Sequence, residues 1–501
     1  MKNDPSPKNS MQPFVGRLPE LRLLDELYAS SKAEFLVLYG RRRVGKTRLL
    51  VEWLTSRPIK PIFFVAEQDS KEALLRQFSQ IVYQKAFPSL PVPESFSFAN
   101  WDQVWNQIGE LARGERLVVF MDEFTYLLAA DATLASNLQR AWDAVLENTN
   151  IFMCISGSHL GMMVRGVLSG IAPLYGRTTA KMELQPLPFG ITKAYFERYT
   201  APERVMLYSV FGGIPQYWRL IDQNKSVSDN IKRLLLSPGG NLKDEPRILL
   251  NDYISGPNNY IAILRAIANG YATPKEIEHS TGIPNFHLPQ YISNLANTGY
   301  VAKKLPATAA PSSRAGRYII TDPFLRFYYR FIQSRLTQLE MGEIDQTLEE
   351  LQKHMVDFIG THTWEEICRE WTIRASNRGI LPLYPDRVES DWGKDYQVDV
   401  VGINSMKKHL VLGECKWIKE RGKAAVLQEL VEKKAPRVAS ASGNWQVYFL
   451  GFSREGWNEH AVEYARNIGQ VRLAGANWQI QGMRLLSLED VDADLHAWAI
   501  A

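Results

Sequence analysis

Five apolar runs alternate with stretches of helical periodicity in the first 190 residues of the chain. Apolar side chains fill nearly every position of each run, which predicts parallel strands buried on both faces. The helical stretches between the runs predict a three-layer α/β domain. The runs lie at 35–40, 61–66, 116–123, 151–157 and 181–187.

Helical periodicity replaces this pattern after about residue 190, and a mixed α/β pattern returns towards the C-terminus. In between, three helical stretches and a short strand follow one another, which is the order found in a winged helix. The predicted units are a flexible tail at 1–13, an α/β core at 14–190, a helical unit at 191–255, a winged helix at 256–318, a helical linker at 319–355 and a mixed α/β domain at 356–501.

The predicted winged helix contains a capping box, because Thr273 precedes a helical stretch and Glu276 lies three residues later. Its next helix is predicted at 286–297, Gly299 opens the wing, and the small and polar segment 305–317 suits a wing or loop. The helix at 286–297 carries no Lys or Arg, which weakens the argument for binding in a DNA groove. Two interpretations stay open: contact with DNA, or a rigid extension packed on the α/β core.

Composition narrows the class of protein. The 501 residues suffice for about three domains, and the 45% hydrophobic and 22% charged residues are ordinary values for a soluble protein. The net charge of 58 − 54 = +4 permits contact with nucleic acid without arguing for it. Three cysteines without a CxxC spacing argue against a disulfide framework or a zinc ribbon. With no secretory signal and no apolar run of about 18 residues, we expect a cytoplasmic protein without a membrane span.

The segment GRRRVGKT at 40–47 matches the phosphate-loop pattern G-x-x-x-x-G-K-[ST]. It follows an apolar strand and precedes a helical stretch, as such a loop requires. Gly40 and Gly45 let backbone N–H groups surround phosphate oxygens. Lys46 is predicted to reach the β- and γ-phosphates, and Thr47 to bind Mg²⁺. The three arginines between the glycines could contact nucleotide or form a solvated cluster.

An acidic pair ends the third apolar run, in LVVFMDEF. Asp122 is predicted to hold Mg²⁺ through water, and Glu123 to orient the attacking water. The alternative for Glu123 is a surface carboxylate at a strand end.

Six short motifs follow one another along the chain: FVGR at 14–17, YGRRRVGKT at 39–47, FMDEF at 120–124, ISGS at 155–158, PLYGRTT at 173–179 and GGIPQY at 212–217. In this order they resemble the archaeal-type ATPase family, whose members are AAA+-like P-loop proteins of the STAND group. The resemblance covers about residues 12–330 and implies ATP as the nucleotide, a sheet of order 5-1-4-3-2 and a helical lid.

The resemblance also implies roles for single residues. Arg17 would contact nucleotide, although the family's usual Arg-Glu pair is here Arg17-Leu18. Ser156 or Ser158 would sense the γ-phosphate, and Pro215 would pack on adenine. Arg177 resembles an arginine finger, which makes a homo-oligomer possible because such a finger can act on a neighbouring subunit. The serines, Arg177 and Pro215 also have purely structural interpretations.

A second constellation lies near the C-terminus, in two strand patterns joined by a short turn. Asp399 is on the first strand, and Glu414 and Lys416 face one side of the second. This pattern resembles the PD-(D/E)XK nuclease superfamily, whose fold is restriction-endonuclease-like. The resemblance implies that Asp399 and Glu414 hold Mg²⁺ or Mn²⁺, and that Lys416 orients water or stabilises charge on the scissile phosphate.

An acidic residue on the preceding helix often completes such a site, and the segment 364–371 has the required amphipathic pattern. Glu365 best matches this position, and Glu366 is the second choice. We therefore expect an ATP-hydrolysing protein whose nucleotide gates binding or cleavage of DNA by a metal-dependent C-terminal nuclease. The alternative is a nucleotide-driven switch whose C-terminal domain binds DNA or a protein without cleaving it.

Overall fold

The computed structural model describes residues 14–251, 256–313, 315–438, 444–471 and 478–500. The predicted tail at 1–13 lies outside these ranges. The strands are β1 Glu34–Tyr39, β2 Ile62–Val65, β3 Leu117–Asp122, β4 Ile151–Gly157, β5 Ala180–Glu183, β6 Val301–Lys304, β7 Arg317–Ile320, β8 Arg387–Trp392, β9 Gln397–Asn404, β10 His409–Lys416, β11 Gln446–Ser453 and β12 Gln479–Ser487.

The α-helices are α1 Leu18–Ala29, α2 Lys46–Thr55, α3 Lys71–Ala86, α4 Trp101–Ala112, α5 Phe124–Ala130, α6 Leu134–Ala144, α7 Leu160–Met163, α8 Thr192–Tyr195, α9 Ala201–Phe211, α10 Pro215–Trp218, α11 Val227–Ile231, α12 Glu245–Asn251, α13 Asn258–Ala268, α14 Pro274–Thr281, α15 Leu288–Asn297, α16 Pro323–Phe327, α17 Leu336–Glu340, α18 Ile344–Phe358, α19 Glu365–Asn377, α20 Ala424–Gln428, α21 Ala435–Val438, α22 Glu459–Arg466 and α23 Leu488–Ile500. Turns of π-helix occupy Val164–Leu168, Lys232–Leu236, Tyr328–Ile332, Ile359–Trp364 and Glu429–Lys434, and 3-10 turns occupy Leu146–Asn148, Phe189–Ile191, Gln333–Arg335 and Ile468–Gln470.

The first sheet contains five parallel strands in the order β2-β3-β4-β1-β5. Read from its other edge, this is the predicted order 5-1-4-3-2. Successive residues of β1 belong to two separate cores, with Phe35 and Val37 on one face and Leu36 and Leu38 on the other. Helices therefore cover both faces, which explains why the strands read as continuous apolar runs. The carboxyl ends of β1, β3 and β4 lie side by side, where α/β sheets bind ligands.

The helices α8–α12 form the predicted helical unit, and α13–α15 are the three helices predicted to follow it. Thr273 and Glu276 form the predicted capping box at the start of α14. The next helix begins at Leu288 rather than at 286. The segment predicted as a wing joins β6 to β7, which pair as an antiparallel hairpin.

The linker after β7 is an aromatic helical segment at the centre of the molecule. Phe324, Phe327 and Tyr329 are almost completely buried. They belong to one continuous core that reaches from the helical unit through the linker to the C-terminal domain. The linker is therefore packed between the other units and does not act as a solvated spacer.

The second sheet has the order β12-β11-β10-β9-β8. The hairpin predicted between the strands of Asp399 and Glu414 is present, because β9 pairs antiparallel with β10. The strands β10, β11 and β12 are parallel, which makes the sheet mixed. Among the residues that the structure describes, no helix is both long enough and apolar enough to cross a membrane.

Candidate functional site

The phosphate loop joins β1 to α2 and has the backbone conformation that its glycines permit. Gly40 has φ of 149°, and a Cβ at this position would lie 2.5 Å from the carbonyl oxygen of Leu184. Gly45 has φ of 100° and caps α2. A side chain at Gly40 would therefore collide with the backbone beside the sheet. The helix α2 begins at Lys46, so Lys46 and Thr47 form its first turn, two residues before the predicted helical stretch.

The Lys46 ammonium group is held at the mouth of this loop. Its side chain is almost completely buried, and Nζ donates to the carbonyl oxygen of Gly40 at 3.1 Å and to Oγ of Ser158 at 2.8 Å. Burial lowers the pKa of Lys46, while Glu123 and Asp122 oppose this shift. The predicted sensor Ser158 thus contacts the predicted phosphate ligand directly.

Asp122 is fully buried at the end of β3 and accepts two hydroxyl hydrogen bonds. Thr47 donates to Oδ2 and Ser156 donates to Oδ1. Carboxylate and hydroxyl oxygens are the ligands that Mg²⁺ prefers, so the donor set of Thr47 and Asp122 fits this ion. Ser156 supports Asp122, whereas Ser158 faces the loop. The two serines that the sequence left as alternatives therefore have different contacts.

Glu123 adopts a left-handed conformation with φ of 53°, which turns its side chain out of the strand direction. Its carboxylate accepts from Oγ of Ser158 at 2.7 Å. Ser158 therefore bridges Glu123 and Lys46, and all three side chains lie at one point of the sheet edge. This is the position at which a carboxylate could orient water against a terminal phosphate.

A cavity of about 540 Å³ extends from the phosphate loop to the helical unit. It has polar walls at Lys46, Thr47 and Glu123 and apolar walls from the helical unit and the N-terminal segment. Arg17 and Pro215, both predicted from the family resemblance, are among the lining residues. The sequence did not indicate the apolar members, which include Phe14, Val15, Leu187 and Tyr195.

Arg17 lies beside this cavity and donates to the carbonyl oxygen of Val44 at 3.2 Å. It also pairs with Glu20 at 3.0 Å, and burial lowers its pKa. Pro215 begins α10 and lies across from Gly45, since a Cβ there would be 3.9 Å from Cγ of Pro215. Both residues line the part of the cavity that lies outside the phosphate loop.

Arg177 does not join this site. It precedes β5 and forms an ion pair with Asp143 at 3.0 Å, near the residues that lead into β1 and β4. In a parallel sheet this is the amino edge, opposite the edge that carries the phosphate loop. Within one chain Arg177 therefore cannot contact nucleotide bound at Lys46, and an arginine-finger role would require a second chain.

Two of the three loop arginines form ion pairs with acidic residues far along the chain and not a common solvated cluster. Arg41 Nε lies 2.8 Å from Asp322, and Arg43 lies 2.7 Å from Glu245. Asp322 and Glu245 are almost completely buried. Sequence reasoning missed both acidic residues, because nothing in their local pattern indicates a partner in the phosphate loop.

The second candidate site lies on neighbouring strands of the C-terminal sheet. Asp399 on β9 accepts from the backbone N–H of Cys415 at 2.9 Å. Burial and the Glu414 charge raise the pKa of Asp399 to about 6. Glu414 on β10 pairs with Lys416 at 2.9 Å, and with Lys434 at 2.8 Å. The structure thus brings the predicted Asp, Glu and Lys together and adds a second lysine.

Glu365 approaches this group from α19. Burial raises its pKa to about 8, with Asp399 as the next cause. Arg369 links the two elements, because it donates to Glu365 at 3.2 Å and to the carbonyl oxygen of Asp399 at 2.8 Å. Glu366, the second choice from the sequence, instead forms a bidentate pair with Arg326 at 2.7 and 2.9 Å.

Within the described ranges, no group of three or more His, Cys, Asp or Glu side chains is arranged to hold a metal ion. At Glu414 both carboxylate oxygens face lysines. Lys434 was not predicted, because it lies within a later helical segment and no spacing rule connects it with Lys416. A divalent ion at Asp399 and Glu414 would have to displace at least one lysine contact.

The convergence of Lys46, Thr47 and Asp122 at the carboxyl edge of a parallel sheet defines the P-loop class of nucleotide-binding proteins. Residues 14–221 match the model of a family described as "ATPase domain predominantly from Archaea". The N-terminal part of the chain is therefore similar to this ATPase family, in agreement with the motifs in its sequence. Residues 328–434 match a second family, described as "Archaea bacterial proteins of unknown function".

One archaeal protein sequence and two archaeal solved structures are among the proteins similar to this chain. An uncharacterized protein of Methanocaldococcus jannaschii, MJECL04, is 29% identical over 430 residues, which cover 84% of this chain and 91% of that protein. Among solved structures, the Walker-type ATPase PABY2304 of Pyrococcus abyssi is 21% identical, with 65% of this chain and 99% of that chain covered and a TM-score of 0.48. The ORC2 protein of Aeropyrum pernix is 14% identical, with coverage of 69% and 97% and a TM-score of 0.44.

Proposed function

We propose that this protein binds and hydrolyses ATP at the phosphate loop and that this cycle controls the C-terminal domain. The contact of Ser158 with both Lys46 and Glu123 carries the first half of the proposal. It joins a phosphate ligand to a carboxylate that can orient water. Mg²⁺ bound at Thr47 and Asp122 would neutralise phosphate charge.

In this proposal each side chain has one task. Lys46 binds phosphate oxygens, and Ser158 reports the presence of the terminal phosphate by exchanging its contact with Lys46 for one with that group. Glu123 accepts a hydrogen bond from water and aligns it. Arg17 and Pro215 bind the remainder of the nucleotide in the adjoining cavity.

Two substitutions test the ATPase. Lys46→Ala should abolish measurable ATP binding, because it removes the buried ammonium group that we propose as the ligand of the phosphate oxygens. Glu123→Gln should keep ATP affinity within about threefold and lower kcat by about 100-fold or more, the range of general-base effects. Arg113→Ala is the matched control, since Arg113 lies outside this cavity, directly after α4, and forms an exposed pair with Glu110. Unchanged ATP affinity in Lys46→Ala would remove the phosphate-loop assignment.

We also propose that the C-terminal domain is a metal-dependent DNA nuclease of the PD-(D/E)XK type, with DNA as its partner. The supporting observation is the juxtaposition of Asp399, Glu414 and Lys416 on β9 and β10, with Glu365 approaching from α19. Two carboxylates next to a lysine suit a divalent cation and a scissile phosphate. The three helices and the hairpin at β6 and β7 are assigned to a winged helix that extends the ATPase domain towards this site.

Cleavage of labelled linear, branched and single-stranded DNA tests this assignment. The wild-type protein with Mn²⁺ should cut at least one form, ATP should change the rate, and Lys416→Ala should lower cleavage by about 100-fold. Lys419→Ala is the control, because Lys419 is an exposed lysine three residues beyond Lys416. Equal cleavage by wild type and Lys416→Ala would identify a contaminating nuclease and remove the assignment.

One observation favours a second function, a nucleotide-driven switch that binds DNA or a protein without cutting. Lys416 and Lys434 both neutralise Glu414, which leaves little negative charge to attract a metal ion. Intact DNA in every cleavage reaction, together with DNA binding that Glu414→Gln does not weaken, would decide for this switch. A fall in affinity with rising salt would show that phosphate contacts dominate the binding.

A further inference from the structure

Two of the three arginines of the phosphate loop pair with residues beyond 14–221, the range that matches the ATPase family model. Arg41 pairs with Asp322, and Arg43 pairs with Glu245, which is only 1% exposed. The hydroxyl of Tyr217 accepts from Arg41 at 3.1 Å and donates to Glu245 at 2.8 Å. A single buried network therefore connects the loop with the helical unit and with the residue that precedes α16.

The position of Arg41 depends on Asp322. The two side chains are 10% and 7% exposed, and Arg41 Nη1 has no hydrogen-bond partner among the described residues. A buried guanidinium group without a counter-charge is strongly unfavourable, so loss of the Asp322 charge would displace Arg41. The carbonyl oxygen of Arg41 also accepts from Lys46 at 3.4 Å, which ties the loop backbone to the phosphate ligand.

One helical turn beyond Asp322, α16 forms a second ion pair. Arg326 is 5% exposed and binds both carboxylate oxygens of Glu366 on α19. Phe324 lies between these positions and packs against Tyr217 with ring centroids 4.9 Å apart. The short helix α16 is therefore fixed at one end to the phosphate loop and at the other to α19.

The helix α19 carries this connection into the carboxylate–lysine site. Glu365, the neighbour of Glu366 in α19, is paired with Arg369 one turn later. Arg369 also donates to the backbone carbonyl oxygen of Asp399. Movement of Glu366 along the helix axis would therefore move Glu365 relative to β9. The path from Arg41 to Asp399 consists of packed or ion-paired neighbours at every step.

We propose that Asp322 is a positioning residue for the ATPase site and that α16 transmits the nucleotide state to Glu365. ATP in the phosphate loop and the placement of α19 are coupled through the pair Arg41–Asp322 and the pair Arg326–Glu366. This inference rests on the proposed ATP binding, but it does not require that the C-terminal domain cleave DNA. Energetic coupling between two sites requires a structural element with two arrangements, and binding at either site must shift the equilibrium between them. We propose α16 as this element.

Three variants of the full chain test the coupling. Asp322→Asn removes the charge but keeps an acceptor for the backbone N–H of Leu325, so the start of α16 stays capped. Glu366→Gln interrupts the path beyond α16. Asp345→Asn is the matched control, because Asp345 forms an exposed ion pair with Lys232 that also joins the helical unit to the linker.

The measurements are ATP turnover and hydrogen exchange of the backbone amides of α19, with and without a non-hydrolysable ATP analogue. In the wild type, the analogue should slow exchange in α19 by about fivefold or more. Asp322→Asn should raise KM for ATP about tenfold, keep kcat within about twofold and lose the α19 response. Glu366→Gln should lose the response with KM unchanged, and Asp345→Asn should change neither.

Each outcome decides the matter. Wild-type protein that binds the analogue without any change in α19 would overturn the coupling and leave the ATPase proposal intact. Wild-type protein that binds no nucleotide would overturn both. If Asp322→Asn had the same KM for ATP and the same α19 response as Asp345→Asn, the buried Arg41–Asp322 pair would have a structural role only. If Asp322→Asn did not fold, the comparison of Glu366→Gln with Asp345→Asn would still decide whether α16 transmits the response.

Discussion

At the scale of single residues, burial sets the chemistry of the C-terminal carboxylates. Glu365 is enclosed between α19 and β9, and the nearby Asp399 charge adds to the cost of ionising it. Glu366, the next residue, experiences the opposite environment, because Arg326 lowers its pKa to about 2 despite burial. Two adjacent carboxylates thus differ in protonation because their partners differ.

This contrast predicts how stability depends on pH. The pKa of Glu365 rises from 4.5 in the unfolded chain to about 8 in the folded one, so the folded state keeps a proton that the unfolded state has lost. The free energy of unfolding should therefore fall as pH rises between these values. Glu365→Gln, which cannot ionise, should reduce the difference between about pH 6 and about pH 8.5, measured by urea unfolding in EDTA.

The control for this experiment is Glu366→Gln. Glu366 stays ionised across the whole window, since its pKa is about 2. Its substitution should lower stability at both pH values and change the difference far less than Glu365→Gln does, because Glu366 is the smallest of the causes that shift the pKa of Glu365. A Glu365→Gln variant with the same pH dependence as wild type would contradict the environment described for this carboxylate.

At the scale of elements, close backbone contacts attach the helical unit to the α/β core. The backbone N–H of Leu187 donates to the carbonyl oxygen of Gly213 at 2.7 Å. A Cβ at Gly213 would lie 1.9 Å from the carbonyl oxygen of Leu187. The glycines of the GGIPQY motif therefore permit contact between two backbones, which places Pro215 over the phosphate loop.

We expect Gly213→Ala to separate these segments. The added methyl group cannot be accommodated without moving backbone, so the free energy of unfolding should fall by about 1–3 kcal/mol or more, the range for overpacking. Affinity for ATP should also fall, because Pro215 would move. Gly239→Ala is the control, since no atom lies within 4 Å of a Cβ at that exposed position. Thermal unfolding that does not distinguish the two variants would contradict this account.

At the scale of the whole molecule, the C-terminal helix α23 packs back on the helical unit that follows the first sheet. Arg204 on α9 forms a buried ion pair with Asp492 at 2.6 Å, and the side chains are 7% and 5% exposed. Lys193 approaches the same carboxylate at 3.4 Å but is 43% exposed. The C-terminal helix and the helical unit therefore share one interface, which belongs to the core that contains α16.

This interface predicts unequal effects of its two cations. Arg204→Ala leaves the buried Asp492 without its close partner and should cost about 3–5 kcal/mol. Lys193→Ala removes an exposed and longer contact and should cost about 0–1 kcal/mol. Urea unfolding measures both values, and limited proteolysis should cut α23 faster in Arg204→Ala than in Lys193→Ala. Equal losses would show that Asp492 is not buried in solution.

The sequence by itself determined the parts of the sites that are built from contiguous residues. The phosphate loop, the acidic pair after β3 and the strand hairpin of Asp399 and Glu414 were predictable, because neighbours in the chain fix their geometry. Parallel strands that are buried on both faces have continuous apolar sequences, so the strands of the first sheet were also predictable. The order of its strands came from the family resemblance and not from the pattern.

Only the tertiary structure decided the partners of the charged side chains. Local periodicity shows which face of a helix is buried, but it does not show which element covers that face. Any basic residue can pair with a carboxylate, and any acidic residue can pair with an arginine. The sequence therefore did not predict that Lys434 pairs with Glu414 or that Asp322 pairs with Arg41. The same reason explains Arg177, whose motif indicates a finger while the fold places it at the opposite edge of the sheet.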